Sequence, residues 1–560
     1  MNSDLPDEGS ALPPPAPAAS KRFGGYAALV AAGILLSRVA GLIRTSVIAQ
    51  YLGATGAADA FYVALKVPNF LQNLLGEGVL SAAFIPVYSR LIAKGEQKAA
   101  DRVAGVFVSF LALIVLGIVL AGVLLAPLIL AVTAPGLDPP VMALAIKLTR
   151  IIFPGVGLLV LYAWALGILN AHRQFFISYV APVLWSASMI VTLLVFGMYM
   201  SGARLATALA WGTLVGCGLQ FAIEIPFVLR HAKHLSFGFD RSLEPVRSIF
   251  RNILPVVGGR GVVQISGYID TFIASLLPTG AVTVLFNAQT IYMLPISVFG
   301  MSVAAAELPQ MAGEHGTEDE VRSALRRRLD RGVRQMAFFV IPTTVAFVLI
   351  GRVLVAALFQ RGKFTADTTL LVWYVLCGSA IGLLVSTLGR LYSSAFYALH
   401  DTKTPVRIAM IRVTVGAALA LLFAFPLRPL FTGAAEAFKL PIPHTAGGIA
   451  ALGAVGISTA SALAAWIEFL LLRHRMRQRV GKGEPKGAFM LKLWIAAGVA
   501  GVASLAADVY FVRGVAANLP LPRISEAIVV CGVFGVVYFA VAAMLGIGEV
   551  RAFIGRFIRR

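Results

Sequence analysis

The chain has 560 residues, of which 59% are hydrophobic and 13% charged, with a formal net charge of +21. A soluble protein of ordinary usage has about a quarter of its residues charged, so a water-soluble globular fold is excluded, and no stretch is long and polar enough to make a separate soluble domain. The positive charge does not point to nucleic acid. Most of the 47 Lys and Arg lie in the two tails and in alternate connections between apolar runs, which is the positive-inside asymmetry of a polytopic membrane protein and places both termini and the basic connections in the cytoplasm.

Residues 1–20, MNSDLPDEGSALPPPAPAAS, lack the basic start and apolar core of a secretory signal and read as a disordered cytoplasmic tail. Apolar runs of bilayer length, about 20 residues each, then follow at 24–51, 60–89, 103–132, 141–168, 175–200, 205–229, 252–277, 281–311, 335–359, 367–398, 405–427, 447–472, 488–512 and 524–547. The fold class is all-α, a polytopic membrane protein with about fourteen transmembrane helices. Pro68, Pro154, Pro255, Pro295 and Pro342 fall inside spans, where each frees backbone groups and favours a kink. Two connections, DRSLEPVRSIFR at 240–251 and TEDEVRSALRRRLDRGVR at 317–334, are amphipathic and are expected to lie on the membrane surface.

A repeat is visible inside this series. TGAADAFYVALKVP at 55–68 recurs as TGAVTVLFNAQTIYMLP at 279–295, six spans later and so in the same orientation. The reading is two pseudo-symmetric six-helix lobes, 24–230 and 231–476, after a tail at 1–23 and before two additional helices and a basic tail at 477–560. Parallel repeats around a central cavity are a transporter architecture.

Charged side chains inside spans are costly and mark function by default. In the second span Asp59, Lys66, Asn73 and Glu77 fall on one helical stripe, with Asn69 about 80° away. In the first, Arg38 and Arg44 are six residues apart, about 120° around the helix and 9 Å along it. Arginine binds phosphate bidentately, so two buried arginines with Lys66 suit an anionic, phosphorylated ligand. Satisfied structural pairing, with Lys66 against Asp59 or Glu77, is the alternative for the stripe, and snorkelling the alternative for the arginines. Arg260 and Asp270 in the seventh span and Arg390 in the tenth add candidates from the second lobe. The three cysteines stand singly, the seven histidines form no ligand motif and no nucleophile–base pair is apparent. No enzyme, metal or cofactor is expected.

The runs SRVAGLIRT, GATGAADAFYVALKVPNFLQNLLGEGVLSAAFIPVYS, GILNAHRQFFISYVAPVL, QISGYIDTFIASLL and AFYALHDTKTPVR resemble the MurJ (MviN) lipid II flippases of the multidrug/oligosaccharidyl-lipid/polysaccharide exporter superfamily. The resemblance runs from about residue 24 to residue 420. It implies two six-helix lobes plus two helices that form a lipid-facing groove. It also implies alternating access that carries undecaprenyl-pyrophosphoryl disaccharide-pentapeptide from the inner to the outer leaflet of the bacterial inner membrane. Arg38 and Arg44 match the family's first-span arginines implicated in substrate handling, and Asp59, Lys66, Asn69 and Glu77 its second-span polar positions. Gln72 stands where many members carry Arg, and Thr290 and Met293 replace the family's Arg and Glu in the eighth span. Substrate charge would then fall to Arg260 or Arg390. Some members bind sodium through an acidic residue in the seventh span and Asn or Asp in the eleventh. Asp270 fits the first half, while RIAMIRVTVGAALALLF at 407–423 offers no carboxylate or amide. Coupling to the membrane potential or to a monovalent cation stays open, and the cell-wall synthesis machinery is the protein partner to consider. The competing functions are a flippase for another polyprenyl-linked oligosaccharide, a cation-coupled drug exporter, and a non-transporting scaffold.

Overall fold

The computed structural model describes residues 18–551 apart from 76, 305–306, 308–310, 312–316, 438, 445–446, 482, 484–486 and 510–520. The tail at 1–17 and the side chains of Asn73, Glu77, Arg260 and Gln264 lie outside the described parts. Among the described residues the chain is helical, without strands. The first half holds α1 (Ala18–Leu52), α2 (Gly56–Leu75), α3 (Glu77–Ala93), α4 (Gln97–Thr133), α5 (Pro139–Ala171), α6 (Phe175–Phe196), α7 (Gly202–Ala222) and α8 (Ile225–His231). The second holds α9 (Glu244–Ser275), α10 (Ala281–Pro295), α11 (Glu318–Leu349), α12 (Gly351–Phe359), α13 (Ala366–Ala380), α14 (Leu383–Ala398), α15 (Lys403–Ala424), α16 (Pro429–Ala437) and α17 (Gly453–Val480). Two further helices, α18 (Gly487–Ala507) and α19 (Pro522–Met544), follow.

Ten helices are long and apolar enough to cross a membrane, or eleven if α13 and α14, bent by 45° at their junction, form one span. The fourteen expected spans all fall on helices, but that count is not reached on length and composition among the described residues. The three outside the set, at 24–51, 60–89 and 252–277, fall on α1, on α2 with α3, and on α9. Apart from Arg390 on α14, these are the helices whose apolar runs carry the candidate charges. After Pro295, where the ring removes one backbone donor, α10 widens into a π-helical turn, Ile296–Met301. The two amphipathic connections are not separate surface helices. Residues 244–251 are the first turns of α9, and 318–334 those of α11, whose N-terminus is closed by a reciprocal Thr317–Glu320 capping box.

The packing repeats with the sequence. In the first half α1 packs on α6, α2 on α5, α6 on α7, and α5 on both α4 and α7. In the second half α9 packs on α15, α10 on α13, α15 on α17, and α13 on both α11 and α17. Each pairing is matched by its counterpart six spans later. Helices α18 and α19 pack on each other and on α11 and α12, outside both sets. In lipid there is little hydrophobic drive between helices, so close approach through small residues matters more. Ala58, Ala60 and Ala64 of α2 are fully buried in this way.

Burial is uneven along the bundle. At the end bearing the α1–α2 and α9–α10 turns, one core joins the lobes, running from Ile48, Phe61 and Phe153 to Ile291, Phe359 and Val372. At the opposite end there are two separate cores, one around Phe84, Phe107 and Trp164, which also takes in Val246 and Ile249 from the first turns of α9, and another around Met336, Tyr392 and Phe396. The lobes therefore share one core at the turn end, while at the basic end the first turns of α9 join them by packing on α3 and α4.

Candidate functional site at the seam between the lobes

The seam is built from repeat-related positions. Gly56 and Gly280 occupy the same place in the two copies of the TGA motif, so Asp59 corresponds to Thr283 and Tyr62 to Phe286. These partners meet. Asp59 Oδ2 accepts the Gly280 N–H at 2.5 Å, and Oδ1 accepts the Thr283 N–H at 2.8 Å and the Thr283 hydroxyl at 2.5 Å. A carboxylate on α2 thus caps the N-terminus of a helix in the other lobe, where free N–H groups and the helix dipole favour negative charge. Gly280 is required there: it sits at φ +99°, and a Cβ would come within 2.8 Å of the Ala54 carbonyl oxygen. One turn further in, the Tyr62 and Phe286 rings stack with centroids 4.1 Å apart.

Two turns along α2 from Asp59, the Lys66 ammonium crosses to α9. It donates to the Gly267 carbonyl at 2.5 Å and to the Thr271 hydroxyl, while the Tyr268 hydroxyl donates to the Lys66 carbonyl at 3.1 Å. Lys66 also feels the charge of Asp270. The structural alternative of an Asp59–Lys66 pair is not what forms, because both Asp59 oxygens are taken by α10. A second charged chain continues into the second lobe. Asp270 lies 3.4 Å from the Ser461 hydroxyl and shares with Arg412 a void of about 10 Å³, room for one water at most, while Arg412 pairs with Glu468 at 2.8 Å.

The remaining candidates border this set: Arg44 is within electrostatic reach of Tyr62, and Arg390 of Arg412 and Glu468. Arg44 turns into the first lobe and lies over the Trp185 ring, 4.6 Å from its centroid. Arg38 is exposed on α1, Arg390 is exposed on α14, and Asn69 is half-buried on α2. Glu77 and Arg260 stand at the start of α3 and within α9, with side chains outside the described parts. Nearest the turn end, a 220 Å³ pocket lined by Asp59, Asp138, Ser275 and Thr279 lies in the seam. Among the described residues no group of three or more His, Cys, Asp or Glu could hold a metal.

Sequence reasoning missed Arg412, Glu468, Ser461 and Trp185. Arg412 and Glu468 carried the same cue that picked out Arg38, an ionisable group within an apolar span.

Two repeated helical lobes, sealed at one end, with charged side chains bridging the seam, define a membrane transporter of the two-lobe exporter type. The fold is similar to that of a solved "Lipid II flippase MurJ, inward closed conformation" (TM-score 0.73, 21% identity, 94% of this chain and 99% of that one). It is also similar to an inward-facing multidrug resistance MATE family transporter (TM-score 0.60, 18% identity, 79% and 95%). A family model described as "Lipid II flippase MurJ" matches residues 48–521. The chain belongs to that family. It is 29% identical over 548 residues to a probable lipid II flippase MurJ of Rhizobium meliloti (95% of this chain, 96% of the relative). With the lipid II flippase MurJ of Burkholderia cenocepacia it shares 32% identity over 383 residues (67% and 73%).

Proposed function

We propose that the protein is a lipid II flippase, moving undecaprenyl-pyrophosphoryl disaccharide-pentapeptide from the inner to the outer leaflet by alternating access, and that it works as a transporter rather than an enzyme. The observation that carries this is the family match over 48–521; the two-lobe seam supplies a physical route. With the lobes at 24–230 and 231–476 and both termini in the cytoplasm, the sealed turn end faces outward and the basic end faces the leaflet where the substrate is made. Opening outward requires the Asp59 cap on α10 to break and the basic end to close.

Arg38, Arg44 and Lys66, with Asn69 and Arg260 or Arg390, are the groups proposed to meet the diphosphate, while Asp59 and Glu77 order the seam. The polar head crosses along the cationic seam and the prenyl tail stays in lipid. Arg412 beside Asp270 supplies a fixed positive charge where an exchangeable cation would otherwise be needed, which favours the membrane potential as the driving force. Outward movement of an anionic head is favoured by an inside-negative potential by about 2.3 kcal/mol per charge per 100 mV. The test is complementation of a strain depleted of its own lipid II flippase. Rescue from lysis is expected; restoration of a surface polymer without rescue would assign the protein to another polyprenyl-linked oligosaccharide. In reconstituted vesicles, an unchanged flipping rate after the potential is collapsed would remove the coupling proposal.

A further inference from the structure

The polypeptide joining the lobes, residues 232–243, is neither a helix nor a free loop. It is laid along the first turns of α4. Asp101, Gly105 and Ser109 stand four residues apart and so form one stripe of that helix, and each receives the linker. Asp101 Oδ2 accepts the His234 N–H at 2.9 Å. Ser109 Oγ accepts the Gly238 N–H at 3.2 Å. Between them Gly105 admits the Ser236 backbone, whose carbonyl oxygen would lie 2.4 Å from any Cβ added there. The contacts fall on alternate linker residues, as an extended chain requires. An ion pair between Arg102 and Asp240 at 3.0 Å ties the linker down again.

The side chains divide accordingly. Leu235 and Leu243 pack against the buried cluster that contains Val106 and Phe107. Phe237 and Phe239 turn outward, 71% and 60% exposed, with Phe239 edge-on to Phe110 at 5.3 Å. Along α4, Phe110 lies about 12 Å beyond Arg102 at 1.5 Å per residue, and it is followed by Leu113 and Leu116, 56% and 54% exposed. The two phenylalanines therefore occupy the level between a layer of cations and the lipid-facing leucines, where aromatic side chains gather in membrane proteins. Arg230, Lys233, Arg241, Arg247 and Arg251 flank them along the chain, against Asp240 and Glu244, and Asp240 is already held by Arg102.

We propose that this linker is a membrane-interface anchor: Phe237 and Phe239 enter the boundary between headgroups and acyl chains, and the flanking basic residues bind anionic phospholipid headgroups. The proposal concerns the lipid surface and does not depend on which molecule is flipped.

The experiment places the photoreactive amino acid benzoylphenylalanine at position 237 or 239 of the full-length protein, reconstituted in vesicles of mixed phosphatidylethanolamine and phosphatidylglycerol. Mass spectrometry of the irradiated protein is expected to find phospholipid adducts at both positions, with phosphatidylglycerol enriched about two-fold or more over its share, as basic groups near an anionic surface predict. The variant Lys233→Gln/Arg241→Gln should keep the adducts and lose the enrichment. Adducts in proportion to lipid composition, or an enrichment that survives this variant, would overturn the anionic-lipid assignment. Absence of lipid adducts, or adducts to protein when irradiated in cells, would overturn the anchor itself.

Discussion

Replacing Asp59 by Asn tests the seal directly, because the substitution keeps the shape and removes charge and one acceptor. The carboxylate accepts the Gly280 N–H and both Thr283 donors. The amide has a single acceptor oxygen, so it retains the Thr283 side of the cap at best. A hydrogen bond to a charged group contributes about 1.5–3 kcal/mol, and a charge at a partly buried helix terminus up to about 2 kcal/mol. These overlap, so a total loss of about 2 kcal/mol is taken, equivalent to about a thirty-fold shift at 1.4 kcal/mol per decade. All of it acts on the lobe-to-lobe contact. Spin labels at the exposed positions Arg204 and Ala366, one in each lobe at the turn end, report the separation by double electron–electron resonance. The parent protein should give one short distance, and Asp59→Asn should add a longer population. Thr283→Ala should do the same, and the double variant should fall short of the sum by about 1 kcal/mol or more. An unchanged distance distribution, or strict additivity, refutes the interlobe cap.

Arg38→Ala and Arg44→Ala should each fail to support growth of a flippase-depleted strain at normal expression while accumulating to parental levels; growth with either would remove that arginine from substrate handling. Arg44→Lys should keep the charge but lose the planar contact with Trp185, about 0.5–2 kcal/mol, seen as a change in tryptophan emission that Trp185→Phe abolishes. Arg412→Met strands Glu468, which is 15% exposed, and should lower thermal stability in detergent, whereas Arg412→Met/Glu468→Met should recover most of the loss. In the connection before α15, Asp401 accepts the Thr404 N–H and hydroxyl at 3.0 and 2.7 Å and pairs with Arg479. The backbone N–H of Thr404, then its hydroxyl and the Arg479 charge, hold the Asp401 carboxyl below the usual carboxylate range. Its contribution is therefore fully present above the unfolded value near pH 4 and is lost as pH falls through the lower folded value. Asp401→Ala should cost about 1 kcal/mol at neutral pH, with the difference from the parent disappearing in strong acid.

The helices and the repeat could be read from the chain because both are written locally, in apolar run length and in a motif that recurs. Asp59 and Lys66 could be picked out as one stripe because helical periodicity is also local. What they face could not be read. The Asp59 partners lie 221 and 224 residues away, and the Lys66 acceptors 201 and 205. Along its own span Lys66 has only Asp59 and Glu77 as acids within reach, whereas the fold offers it a carbonyl and a hydroxyl on another lobe. Residues 240–251 misled for a related reason. An amphipathic pattern says that one face is apolar, not whether the helix stops there or runs on, as α9 does to Ser275.

The meeting of Asp59 with Thr283 has a consequence for ancestry. A parallel repeat within one chain reproduces the geometry of a two-fold homodimer, in which residues on the axis meet their own copies. Two identical halves carrying Asp at this position would bring like charges together in a buried contact, and two carrying Thr would leave each helix start without an anion. Joining the halves in one polypeptide removes that self-matching condition. One copy can then specialise as the acceptor and the other as the donor. In this chain that asymmetry begins with a single pair of unlike residues at matched positions, Asp59 and Thr283.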